Sequence, residues 1–132
     1  MFESLRGLSM RLEELYTTPK ELEKYLWEMA NLSSKVTGID QVIIWASSAQ
    51  DGAKRHGPRV KISARPTSKI DSNDLFVLTI QDNPQVVAGE SYLSTDTLED
   101  VKTWVSLNKG VLLSYWKNEI TTDEFLEQLV KL

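Results

Sequence analysis

The chain of 132 residues contains no cysteine and a single histidine, His56. The first absence excludes a disulfide scaffold and every thiolate metal site, and the second excludes a histidine-rich metal centre. No metal and no cofactor are therefore expected. Nor does any apolar run approach the roughly 20 residues that cross a bilayer. The amino terminus, M-F-E-S-L-R-G-L-S-M-R-L-E-E-L, alternates charge with leucine and lacks the apolar core of a signal peptide. The expected location is the cytoplasm, with no membrane partner. Acidic side chains are missing from the nineteen residues Gly52 to Ile70, and so are Trp, Tyr and Phe.

That same stretch, G-A-K-R-H-G-P-R-V-K-I-S-A-R-P-T-S-K-I, gathers six of the 15 Lys+Arg and the only histidine. The rest of the chain then carries 9 basic against 19 acidic residues, so the net charge of -4 is a basic insert of +6 in a frame of -10. Segregation of this kind points to a surface that meets something anionic. The overall negative balance argues against a dedicated duplex-DNA binder.

The length fits one domain that buries about two-thirds of its unfolded surface. Leu5, Leu8, Leu12 and Leu15 recur at helical spacing, and Thr18-Pro19-Lys20-Glu21 restarts a helix carrying Leu22, Tyr25, Leu26, Met29 and Ala30 toward Gly38. Residues 1–38 are thus expected to form a helical hairpin. Phe2, Leu5, Leu8 and Leu12 offer either core packing or a homodimer contact, and Trp27 falls beside the second stripe as a candidate protein contact. Residues 39–90 read as a sheet. Val42–Ala46 is a continuous apolar run that suits a central strand, and Arg59–Arg65 alternates strictly. Leu75–Ile80 is apolar on both faces, and Val86–Ala88 makes a short fourth strand. In residues 95–132, Asp96 caps a long helix whose apolar stripe carries Trp104 and Trp116 and continues past Gly110, where glycine permits a bend, and Thr121–Glu124 opens a last one. The expectation is an α+β fold: a helical hairpin, three or four antiparallel strands, and two carboxy-terminal helices on one face of the sheet.

The strand opening H-G-P-R-V-K-I, the segment V-V-A-G-E-S-Y-L and the helix W-V-S-L-N-K-G-V-L-L-S-Y-W resemble a small bacterial family catalogued as domain of unknown function 4160, over roughly Lys54 to Lys117. Members usually carry two further histidines where this chain has Arg59 and Lys61. The resemblance implies a small cytosolic interaction protein in a toxin–antitoxin-like setting. Because those two histidines are absent, metal or proton chemistry that depends on them does not carry over to this chain.

Three uses of the basic run follow from its chemistry. Lys54, Arg55, His56, Arg59, Lys61, Arg65 and Lys69 form a candidate binding surface for an anionic macromolecule, either an acidic protein face or a nucleic-acid backbone. Alternatively, His56 as proton carrier with Arg59 and Lys61 on a phosphate makes a metal-independent ribonuclease. A general acid–base pair needs a second titrating group, and only folding brings Tyr92 or Asp51 near. The third use places Arg59, Lys61 and Arg65 on an edge strand as guards against strand pairing, which leaves the working surface on the helices around Trp27. Two glycines five apart, Gly52 and Gly57, do not make a phosphate loop, because no Gly-Lys-Ser/Thr leads into a helix.

Overall fold

A computed structural model describes residues 29–48, 57–69, 71 and 73–132. Among the described residues, five strands form one antiparallel sheet in the order β1-β2-β3-β4-β5. They are β1 (Ala30–Leu32), β2 (Ile44–Ala46), β3 (Arg59–Ser63), β4 (Leu75–Thr79) and β5 (Val86–Gly89). A one-turn helix, α1 (Ser34–Thr37), sits between β1 and β2. After β5 come α2 (Thr95–Leu107), α3 (Lys109–Trp116) and α4 (Thr122–Gln128). The α+β class and the order of strands before carboxy-terminal helices agree with the sequence pattern.

The strand count differs from the expected three or four because Ala30–Leu32 is a strand. Its register, Ala30 to Ala46 and Leu32 to Ile44, completes the ladder on the outer side of β2. A helix running on to Gly38 would leave that side of an apolar strand unpaired, so tertiary pairing overrides the local stripe. Gly38 does end a helix, α1, with a left-handed φ of 82°. Residues 1–28, which hold the rest of the expected hairpin, the proposed dimer stripe and Trp27, lie outside the described residues.

Strand alternation divides the sheet as the pleat requires. Leu32, Ile44, Ala46, Val60, Ile62, Ala64, Phe76 and Leu78 share one face and join Val101, Trp104, Val105, Leu112, Tyr115 and Phe125 in a single core. Helix α4 closes this layer through Phe125, whose ring stacks on Tyr115 at 4.2 Å between centroids. The opposite face carries the cross-strand row Asn31, Trp45, Lys61, Val77 and Ala88. From Trp45 to Ala88 this row is buried as well. Ser63, on the same face, is satisfied there, since its Oγ accepts from the Ile43 N–H at 3.1 Å.

The long helix is interrupted, but not at the glycine. Gly110 lies within α3 with open space around it, and the break falls at Asn108. Asn108 is buried, and its carboxamide donates to Trp104 O and Val130 O, both at 3.0 Å, and accepts from Val130 N at 2.7 Å. A side chain that bonds backbone so fully pulls its residue out of regular helix. The result is three carboxy-terminal helices where two were expected. The start also shifts, because Ser94 accepts from Thr97 N at 3.2 Å and caps α2. Asp96 instead occupies the first turn, where a carboxylate favours the positive end of the helix dipole. The last helix begins as read, with Thr121 and Glu124 forming a reciprocal capping box.

Candidate anion-binding surface

β3 is the third of five strands and is hydrogen-bonded on both sides. This overturns the edge-guard reading, since a central strand has no free edge to protect. It also changes what the strand's charged face can do. Lys61 stands directly between Trp45 and Val77 and is 7 % exposed. Burial, and then the neighbouring charge of Arg59, push its pKa down from the usual 10.5 to about 7. Arg59 is half-buried at the start of the strand. The alternation of Arg59, Lys61 and Ser63 opposite Val60 and Ile62 is real, but the face they share is not an open basic strip.

Beyond the end of β3 the situation reverses. Arg65 leaves the sheet and is exposed, and its Nη1 donates to Oδ1 of Asp74. Two backbone bonds build this corner. Ala64 N donates to Asp74 O at 2.9 Å, and Tyr92 N donates to Ala64 O at 2.7 Å. The chain leaving β5 is thereby pinned across the end of β3, and the Arg65 guanidinium lies 4.2 Å from the centre of the Tyr92 ring. The hydrogen bond that Arg65 donates to Asp74 outweighs desolvation and, with the charges of Asp74, Tyr92 and Asp71, holds the Arg65 pKa above its usual value. Lys69 follows in an exposed turn, with its N–H donated to Thr67 Oγ1 at 2.9 Å.

Lys54, Arg55 and His56, with Asp51, lie outside the described residues. Gly57 and Arg65 bracket β3, and eight residues of extended chain span roughly 26 Å. Within the described part of the run, the cations are thus spread along β3 and past its end rather than gathered at one point. Of the sequence-predicted residues, the structure places Arg65 and Lys69 on the surface, Arg59 at half burial and Lys61 inside. It adds Asp74 and brings Tyr92, offered by the sequence only as a second titrating group for His56, to Arg65. The signal for Tyr92 was present in the segment V-V-A-G-E-S-Y-L, but nothing local tied that tyrosine to Arg65.

Among the described residues, no group of three or more His, Cys, Asp and Glu could hold a metal ion, and no helix is long and apolar enough to cross a membrane. No family model matches the chain, and neither a curated protein nor a solved structure does so.

Proposed function

We propose that this chain is a non-enzymatic binding protein that engages an anionic macromolecule at the corner where β3 ends. The observation that carries this reading is the exposed Arg65 guanidinium held over the exposed ring of Tyr92. A planar cation fixed by a carboxylate and an aromatic face loses little freedom when a partner arrives, and such preorganisation favours binding. Lys69 adds a second cation from the same connection between β3 and β4. A ribonuclease built on His56, Arg59 and Lys61 is the weaker reading. The buried Lys61 ammonium, poised to lose its proton near neutral pH, is poorly placed to meet a polymeric phosphate.

The test is charge reversal at the surface positions, Arg65→Glu with Lys69→Glu, in a fluorescence-anisotropy titration against anionic probes over a salt series. Binding that weakens with salt and disappears in the double variant supports the reading. Equal binding by wild type and variant, or no binding of any anionic probe at low salt, overturns it. Reversal at Arg59 and Lys61 would not serve, because a new charge in the buried row disturbs the fold itself.

A second reading has its own observation. Leu107 and Val130 are each about half exposed, at 52% and 50%, and the Asn108 carboxamide holds Val130 beside the end of α2. These two side chains would serve an adaptor acting through its helices. Leu107→Asp with Val130→Asp tests it by the loss of a protein contact while anion binding persists.

A further inference from the structure

We propose that the partner is a single-stranded nucleic acid, one base of which stacks on the Tyr92–Arg65 platform while Arg65 and Lys69 meet the flanking phosphates. This rests on the anionic-surface reading above and names its partner. Three features of the corner select a single strand.

The first is the ring. Among the described aromatic residues, Trp45, Phe76, Trp104, Tyr115 and Phe125 are buried and Trp116 is half-buried, whereas Tyr92 is 53 % exposed. An exposed ring capped by a guanidinium presents a flat π-surface, and unpaired bases stack on both kinds of plane. Bases in a duplex are already stacked on one another and have no face to offer.

The second is orientation. Asp74 fixes the guanidinium through Nη1, and the Tyr92 N–H bond to Ala64 O fixes the backbone that carries the ring. Asp74 and the Tyr92 ring together hold the guanidinium before a ligand arrives.

The third is the charge balance, which is modest. Arg65 is bonded to Asp74 and feels the charge of Asp71, Lys69 precedes Asp71 by two residues in the chain, and Glu90 is two residues from Tyr92. An acidic protein surface would be repelled by these carboxylates about as strongly as the two cations attract it. Duplex binding, which draws its affinity from many phosphate contacts, has too few cations here. A single strand gains much of its affinity from stacking, which is indifferent to charge, so it tolerates the carboxylates. The salt dependence should therefore be shallow, with a slope of about -1.4 from two phosphates at -0.7 each.

The experiment titrates the whole chain into labelled oligouridine, a duplex of mixed sequence and an oligoglutamate peptide, by fluorescence anisotropy across a salt series. Wild type is compared with Tyr92→Leu, which keeps apolar bulk without a π-face, and with Tyr92→Phe, which keeps the ring. Circular dichroism melts verify that each variant is folded. The expected result is binding of the single strand alone, weakened about tenfold or more in Tyr92→Leu and retained in Tyr92→Phe, since one stacked base contributes on that order. Single-strand binding that Tyr92→Leu leaves intact overturns the platform, as does equal affinity for the duplex. Either result leaves the anionic-surface reading standing. Binding of oligoglutamate alone does the same and assigns the surface to an acidic protein. No binding of any probe removes both.

Discussion

Lys61 and Arg65 are four residues apart on one course of chain and both carry a cation, yet they meet opposite fates. Lys61 sits mid-strand, hydrogen-bonded into the ladder from both sides and walled by Trp45 and Val77. Arg65 lies past the last rung, where the chain turns and the side chain reaches water, Asp74 and Tyr92. Burial drives the first toward its neutral form and a carboxylate stabilises the charge on the second. Charge counted along a sequence therefore overstates charge on a surface whenever the segment crosses a sheet. What matters is how many rungs lie between a residue and the end of its strand.

The comparison can be broken first at its buried side. Ile62, adjacent to Lys61 but on the helix-covered face, is fully buried beside Ile44 and Phe76. Ile62→Ala should lower stability in urea denaturation by about 2–5 kcal/mol, from lost transfer energy and the cavity left behind. A loss under about 1 kcal/mol would mean that β3 does not run through the core.

The next effect belongs to Lys61 itself and shows as a pH dependence. The unfolded chain holds this proton up to about pH 10.5 and the folded chain only to about 7. Between those values the unfolded state binds more protons, so the fold gains stability as pH rises, by up to about 1.4 kcal/mol per pH unit. Below about 7 both states are protonated and this contribution is flat. Urea midpoints measured on either side of neutrality should show the rise in wild type and lose it in Lys61→Met. Arg65→Met should retain it, because that guanidinium stays charged throughout. A rise that survives in Lys61→Met would assign the titration to another group.

How much of this was legible beforehand follows the range of the forces involved. The capping box at Thr121, the helix end at Gly38 and the pleat of Val60, Ile62 and Ala64 depend on neighbours within a few residues, and the sequence displays them openly. β1 depends on pairing with Ile44–Ala46, more than ten residues away, and its helical stripe concealed it. The burial of Lys61 was hidden for the same reason, since alternation identifies two faces but does not say that both are dry. Tyr92 reaches Arg65 only because the chain leaving β5 passes β4 and bonds to Ala64 at the end of β3. The interruption of the long helix falls at Asn108 rather than at Gly110 for a different reason. Glycine is the usual suspect on propensity, whereas Asn108 acts through a bond to a residue 22 positions on. Asn108→Ala should cost about 2 kcal/mol by stripping partners from buried backbone groups. It should also speed hydrogen exchange at the Val130 amide, and unchanged exchange there would show that the tail is held by its side chains instead.

The smallest structural effect is expected at the exposed side of the comparison. Exposed ion pairs contribute little because water and salt screen them and two side chains must be immobilised to form them. Arg65→Ala should accordingly leave the urea midpoint where it is, although it removes a salt bridge and a cation–π contact at once. The same variant should weaken binding of the single-stranded probe, since the guanidinium is one plane of the stack and one of its two cations. Stability and binding would then separate at Arg65. Ile62→Ala should instead reduce binding only under conditions where it unfolds the chain. If Arg65→Ala shifted the urea midpoint as far as Asn108→Ala does, the Arg65–Asp74–Tyr92 corner would be a structural clamp, and its stacked geometry would say nothing about a partner.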